Sequence, residues 1–243
     1  MYLRVFIIFG FAGITLSGCT ASTIQVELGQ LSEGQVDFER TTVPEENIIK
    51  EITLPAKASI LVPFTVQAPL GDWGAPYQEA CEEASIIMMD YYLRNAPLEP
   101  EQANREIVQL VQWEEANFYK YDVSLLDVKT IVGEYYKYPT RIVEEVTKES
   151  IMYEIANGNP VVVPVAGRKL NNPYFSGDGP WYHMLVITGY DGKYFITNDP
   201  GTRHGLDYKY RMDILVDAIH DWTGVKEDIE SGQKRMLIIG KNL

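Results

Sequence analysis

Two residue types that do chemistry are scarce in this chain: cysteine occurs at Cys19 and Cys81, and histidine at His183, His204 and His220. A cysteine becomes a nucleophile when its thiolate is favoured. A helix N-terminus and a neighbouring imidazolium both do this, and together they can bring a thiol pKa from about 8.5 to well below 7. Cys81 precedes Glu82-Glu-Ala-Ser-Ile-Ile-Met-Met-Asp-Tyr-Tyr-Leu-Arg94, in which Ala84, Met88, Tyr91 and Tyr92 recur at helical spacing. Acids stand early in that stretch and Arg94 late, as the helix dipole prefers, so a helix carrying Cys81 at its N-terminus is expected. The charges of Glu82 and Glu83 oppose a thiolate there.

The base for such a thiol must come from the three histidines. His183 opens the apolar run His183-Met-Leu-Val-Ile-Thr-Gly-Tyr190 after Trp181-Tyr182, where a side chain can face the end of a sheet; the competing reading is a hydrogen-bonded core histidine. His220 falls with Asp213 and Asp217 on the polar side of an amphipathic stretch whose stripe is Leu215, Ala218, Ile219 and Trp222, and is expected to be solvated. His204, in the loop Pro200-Gly-Thr-Arg-His-Gly205, is the reserve candidate.

An imidazole base works best when an acceptor fixes its second ring nitrogen. Asp199 suits this role, because an Asp191-Gly192 turn pairs the strand Lys193–Thr197 with the His183 strand and returns the chain beside the histidine. By itself, Asn198-Asp199-Pro200-Gly201 reads as a turn; its register with His183 is what raises Asp199. The histidines and the one remaining cysteine show no metal-ligand spacing, and no metal or other cofactor is expected.

These residues need a scaffold. Besides the helix after Cys81, helices are expected over 100–117, 124–137 and 148–157, the third ending at Asn157-Gly158-Asn159-Pro160. The second half changes to short β-branched runs at 160–166, 183–190, 193–197 and 236–239, read as an antiparallel sheet. Helices followed by strands predict an α+β domain with a helical N-terminal lobe, a β-sheet C-terminal lobe and a cleft between them. The polar, turn-rich segment 167–182 runs directly into His183 and is expected to line that cleft. Trp181 and Tyr182 from it, with Trp73 and Glu82, are the candidate substrate contacts.

Residues 1–18 have a different character: Arg4, an apolar run Val5–Leu16, then Ser17 and Gly18. This is the layout of a secretory signal, and the run is shorter than the roughly 20 residues of a membrane-spanning helix. Leu16-Ser17-Gly18-Cys19 resembles the bacterial lipobox, which implies cleavage before Cys19, lipidation of its sulfur and export to the cell envelope. Residues 19–58, rich in polar residues, would then be a tether, and 59–243 the folded domain. Cys81 would be the only unlipidated cysteine, with no disulfide partner within the chain, outside the cytoplasm. A net charge of −13 argues against nucleic acid as a partner.

The stretch Val62-Pro-Phe-Thr-Val-Gln67-Ala-Pro, then Cys81-Glu-Glu-Ala-Ser85, His183-Met-Leu-Val-Ile-Thr-Gly-Tyr190 and Asn198-Asp199-Pro200, resembles family thirty-nine of the cysteine peptidases, the bacteriocin-leader peptidase-like branch of the papain fold. The resemblance spans roughly residues 60 to 200. It implies a papain-like two-lobed fold, a Cys81-His183-Asp199 triad working through a thioester, and Gln67 joining the Cys81 backbone N–H in the oxyanion hole. Two departures stand out: Glu82 follows the nucleophile where the family commonly has Gly, and Gln67 lies fourteen residues before Cys81, farther than in the leader peptidases. The second leaves Gln78 as an alternative oxyanion donor. Expected substrates are peptides or peptidoglycan stems. The rival readings are a surface-tethered binding protein without turnover, and a transglutaminase-like enzyme or peptidoglycan amidase.

Overall fold

The structure is a computed structural model and describes residues 53–240. The expected signal segment, Cys19 and the tether up to residue 52 lie outside the described residues. The sheet begins within the last residues of the expected tether, with β1 at Lys57–Ser59. Next come α1 (Cys81–Arg94), α2 (Pro100–Ala116) and α3 (Leu125–Ile131), which continues into a π-helical turn over Val132–Tyr136. Then follow β2 (Thr140–Val143), α4 (Lys148–Ala156), β3 (Val161–Ala166), β4 (Tyr182–Asp191), β5 (Tyr194–Asn198), β6 (Tyr208–Arg211), α5 (Met212–Ala218) and β7 (Met236–Ile239).

Local chemistry accounts for the helix ends. Pro100 opens α2, where its missing N–H costs nothing. Reciprocal capping boxes, Ser124 with Asp127 and Thr147 with Ser150, start α3 and α4 by satisfying backbone N–H groups that a helix leaves unpaired. Asn95 stops α1 in the left-handed conformation at φ 52°.

All strand pairs are antiparallel, in the order β2-β7-β3-β4-β5-β6, with β1 paired to the far end of β4. Because side chains alternate across a strand, one set of residues on β3, β4 and β7 (Val162, Tyr182, Met184, Val186, Leu237) packs with Met88, Leu110, Leu125 and Val128 of α1 to α3. The other set (Val161, Val163, Val165, Leu185, Ile187) packs with Ile151 and Ile155 of α4 and Leu215 and Ala218 of α5. Helices therefore cover both faces of the sheet. This is why β3 and β4 read as nearly continuous apolar runs instead of alternating ones. Truncating such a core side chain, Leu185→Ala for instance, costs about 2–5 kcal/mol.

The mixed helical and antiparallel architecture is the one expected. β2 and β6 were not anticipated: Thr-Arg-Ile-Val and Tyr-Lys-Tyr-Arg are short and carry charges. For the site, the consequential feature is the β4–β5 hairpin. Its register sets Val186 opposite Asn198, so the chain leaving β5 at Asp199 comes back toward the start of β4. Among the described residues, no helix is long and apolar enough to cross a membrane.

Candidate active site

Cys81 is the first residue of α1. Its backbone N–H belongs to the group at a helix N-terminus with no partner within the helix. The thiol is buried and donates a hydrogen bond to Glu82 Oε2 at 2.8 Å. Burial pushes the thiol pKa well up, and the neighbouring carboxyls of Glu82 and Glu83 push it further.

His183 lies near the start of β4 and is 2% exposed. Its Nε2 is 2.7 Å from Asp199 Oδ1, so Nδ1 is the ring nitrogen that Asp199 does not engage. Asp199 is fully buried and every side of its carboxylate is occupied. Oδ1 also accepts the Gly201 N–H at 2.9 Å, and Oδ2 accepts the Tyr210 hydroxyl at 2.5 Å and the Asn172 amide at 3.4 Å. The Asn172 amide donates to the Tyr210 oxygen as well, at 2.6 Å. Burial alone would raise the Asp199 pKa, but attraction to His183 and the hydrogen bonds from His183, Tyr210 and Gly201 outweigh it and hold the pKa below the ordinary value. Tyr210 is pushed well up, first by burial and then by the charge of Asp199.

Phe175 packs edge-on to the His183 ring, with centroids 5.4 Å apart. Gly201 lies against both rings. A Cβ there would lie 2.9 Å from His183 Cε1 and 3.0 Å from a Phe175 ring carbon, so only glycine lets this loop approach the imidazole so closely.

Cys81 and His183 both line a cleft of about 650 Å³. Its walls include Gln67, Trp73 and Gln78 from the segment before α1, Tyr174, Phe175 and Tyr182 from the segment before and into β4, and Arg203 and His204 from the loop after Asp199. The expectation that 167–182 would line a cleft is thus met at its centre.

The other candidates fall as follows. Tyr182 and Trp73 line the cleft, and the Tyr182 hydroxyl is held by the Val123 carbonyl at 2.9 Å. Trp181 does not line it; its ring carries the Arg168 guanidinium at 3.5 Å. Glu82, expected among the substrate contacts, is 1% exposed and bonded to the thiol and to the Val123 N–H instead, because the first turn of α1 points it inward. The Gln67 side-chain amide donates to the carbonyls of Tyr77 and Gln78, both at 2.9 Å, so both of its hydrogens are engaged with the turn leading to Cys81. Gln78 is exposed at the cleft. His204 stacks on Tyr174 at 4.1 Å. His220, expected to be solvated, is buried: α5 ends at Ala218, and the chain then turns so that the ring lies 2.9 Å from the Gly232 carbonyl.

Sequence reasoning missed the Asn172–Tyr210 support of Asp199. Tyr210 sits on the unanticipated strand β6, and nothing in Tyr208-Lys-Tyr-Arg211 distinguishes its inward tyrosine except alternation. It also missed a buried acidic group behind Cys81. Glu83 and Glu114 perturb each other there, and each keeps one buried oxygen without a hydrogen-bond partner. Burial and then the charge of Glu83 push Glu114 up to about 11. Among the described residues, no cluster of histidine, cysteine or carboxylate side chains is arranged to hold a metal ion.

No curated protein matches the sequence. Among solved structures, a Bacillus anthracis protein described as a C39-like peptidase aligns with a TM-score of 0.50 at 16% identity, covering 76% of this chain and 98% of its own, a likeness of fold. Xylellain, a cysteine protease from Xylella fastidiosa, aligns with a TM-score of 0.32 at 14% identity, covering 79% of this chain and 88% of its own. The family model described as Peptidase_C39 like family matches residues 59–228 and so takes in Gln67, Cys81, His183 and Asp199. With well over half of its length matched, the chain belongs to the Peptidase_C39 like family and is a cysteine peptidase-like enzyme.

Proposed function

We propose that this enzyme hydrolyses peptide bonds at the cell envelope through a Cys81-His183-Asp199 triad. The observation that carries the reading is the buried 2.7 Å pairing of His183 Nε2 with Asp199 in a cleft that also contains the thiol at the start of α1. Asp199 fixes the tautomer and supports the imidazolium, while Nδ1 takes the thiol proton. The thiolate attacks the carbonyl carbon, and the imidazolium then protonates the leaving amine. Water hydrolyses the thioester by the same base.

The Cys81 N–H donates to the oxyanion, and the second donor is Gln67 after it releases one of the two carbonyls it holds. Gln78 is the rival for that position, being exposed at the cleft. Removing an oxyanion donor costs about 10²–10³ in rate, so the alanine variants of Gln67 and Gln78 identify which one serves. A chain exported by its Val5–Leu16 segment and lipidated at Cys19 would meet peptides or peptidoglycan stems at the envelope surface. Release of the protein into the medium by Cys19→Ala tests the anchor.

One observation favours a second reading, a binding protein without turnover: the thiol is hydrogen-bonded to Glu82 and its pKa is raised, as for an inert thiol. Iodoacetamide labelling of Cys81 against pH in wild type and His183→Ala, alongside peptide-release assays, decides between them. A reactive thiol that loses its reactivity without His183 supports the enzyme. A slow thiol indifferent to His183, with no peptide released, supports the binding protein.

A further inference from the structure

We infer that the cleft selects peptides bearing a carboxylate side chain beside the reacting bond, with Arg203 as the residue that recognises it; this rests on the peptidase reading above. One wall of the cleft beside His183 is the loop after Asp199. Gly201 touches the imidazole, and Arg203, two residues on, also lines the cleft. Arg203 is exposed and, among the described residues, has no carboxylate in an ion pair with it, in a chain that carries 34 acidic side chains.

Its position is built. The guanidinium lies against the turn closed by the Gly71 N–H and the Ala68 carbonyl, where a Cβ on Gly71 would come within 2.7 Å of a guanidinium nitrogen. Gly71 has φ +86°, a conformation that glycine adopts freely. That turn is continuous with Gln67, whose N–H donates to the Pro200 carbonyl at 2.9 Å. The guanidinium is thereby placed between the Gln67 segment and the loop that holds the imidazole. His204 stacks on Tyr174 and Tyr174 packs edge-on to Tyr208, which makes the wall beside it aromatic and ordered. A guanidinium fork meets a carboxylate with two parallel hydrogen bonds, and an arginine without an ion-pair partner in the cleft that holds the nucleophile of a strongly anionic protein is a natural place for that contact. Glu79, also in the lining, carries the opposite sign, so the cleft is polarised.

The test uses the full chain and a set of internally quenched peptides identical except for Glu, Gln or Lys, scanned through the positions flanking the cleaved bond. The readout is the ratio of kcat/KM between the Glu and Gln peptides, which normalises for any general loss of activity. Wild type is expected to favour Glu at one position by about tenfold or more, the size of a charge-assisted hydrogen bond. R203Q should bring the ratio to one, and R203E should favour Lys. The ratio should also shrink as salt rises.

Equal cleavage of all three peptides at every position, or a Glu preference that survives in R203E, overturns the inference. If no peptide is cleaved, the peptidase reading is what fails. The same three peptides are then measured by fluorescence anisotropy on the Cys81→Ala protein, where the Glu preference and its loss in a Cys81→Ala/R203Q protein must still appear.

Discussion

The Cys81 thiol and the Glu82 carboxyl are sequence neighbours joined side chain to side chain, with Sγ donating to Oε2 at 2.8 Å inside the protein. The nucleophile candidate is thus engaged with an acid on its own helix. Burial is the largest reason that its pKa is raised, with Glu82 next. Glutamine at position 82 carries no negative charge at any pH and can donate to a thiolate. Glu82→Gln should therefore lower the thiol pKa and raise the iodoacetamide labelling rate near neutral pH by roughly tenfold per pKa unit. An unchanged labelling profile would remove Glu82 as the brake on the thiol.

Asp199 and Tyr210 form the next dependence. Asp199 holds the imidazole at Nε2, and Asp199→Ala would remove the acceptor that orients the ring. Tyr210 acts only through Asp199. With Asn172 and the Gly201 N–H still in place, Tyr210→Phe should cost about tenfold in kcat, with little change in KM. Because the hydroxyl helps hold Asp199 ionised, Y210F should also move the acid limb of the pH–rate profile to higher pH. A variant with the wild-type profile would mean that Tyr210 serves packing alone.

Gly201 makes a sharper steric prediction. A methyl at that position would lie 2.9 Å from His183 Cε1 and 3.0 Å from a Phe175 ring carbon, so one of the two rings must shift, and displacement of the imidazole is the outcome predicted. Gly201→Ala should lower kcat by about 10²-fold, as displacement of a catalytic group by about 1 Å does, while the melting temperature changes little. Wild-type turnover in that variant would show that the ring tolerates displacement.

The residues of the site were more legible than their connections. Cys81 before a run with helical spacing, His183 at the head of an apolar strand and Asp199 after the turn that pairs the two strands are all local patterns, and the structure puts each in the element its pattern implies. The inward turn of Glu82, the Gln67 hydrogen bonds to Tyr77 and Gln78, and the Asn172–Tyr210 pair depend on segments that meet only after folding. The local pattern pulled the wrong way at two positions, since Glu82 read as a substrate contact in the cleft and His220, in an amphipathic stretch, as solvated. Tertiary packing decided otherwise at Glu82 and His220.

The same packing buries Glu83 and Glu114 behind the nucleophile helix, and their linkage to pH runs opposite to that of Asp199. Asp199 has a lowered folded pKa, so its contribution is present above the unfolded value of about 3.9 and is lost as pH falls through the folded one. Glu114 has a folded pKa of about 11 against an unfolded value of about 4.3; burial raises it first and the charge of Glu83 second. Its contribution is complete below the unfolded value and declines as pH rises toward the folded one, because the unfolded chain ionises freely while the folded one stays protonated. The protein should therefore lose thermal stability steadily from about pH 5 to pH 9. Glu114→Gln offers a donor to Glu83 without that ionisation, and should stabilise the protein at pH 8 by roughly 1–3 kcal/mol, the scale of one badly buried polar group. It should leave stability at pH 5 nearly unchanged. Melting curves of the two proteins across this range test the assignment, and parallel curves would show that Glu114 ionises in the folded protein as freely as in the unfolded chain.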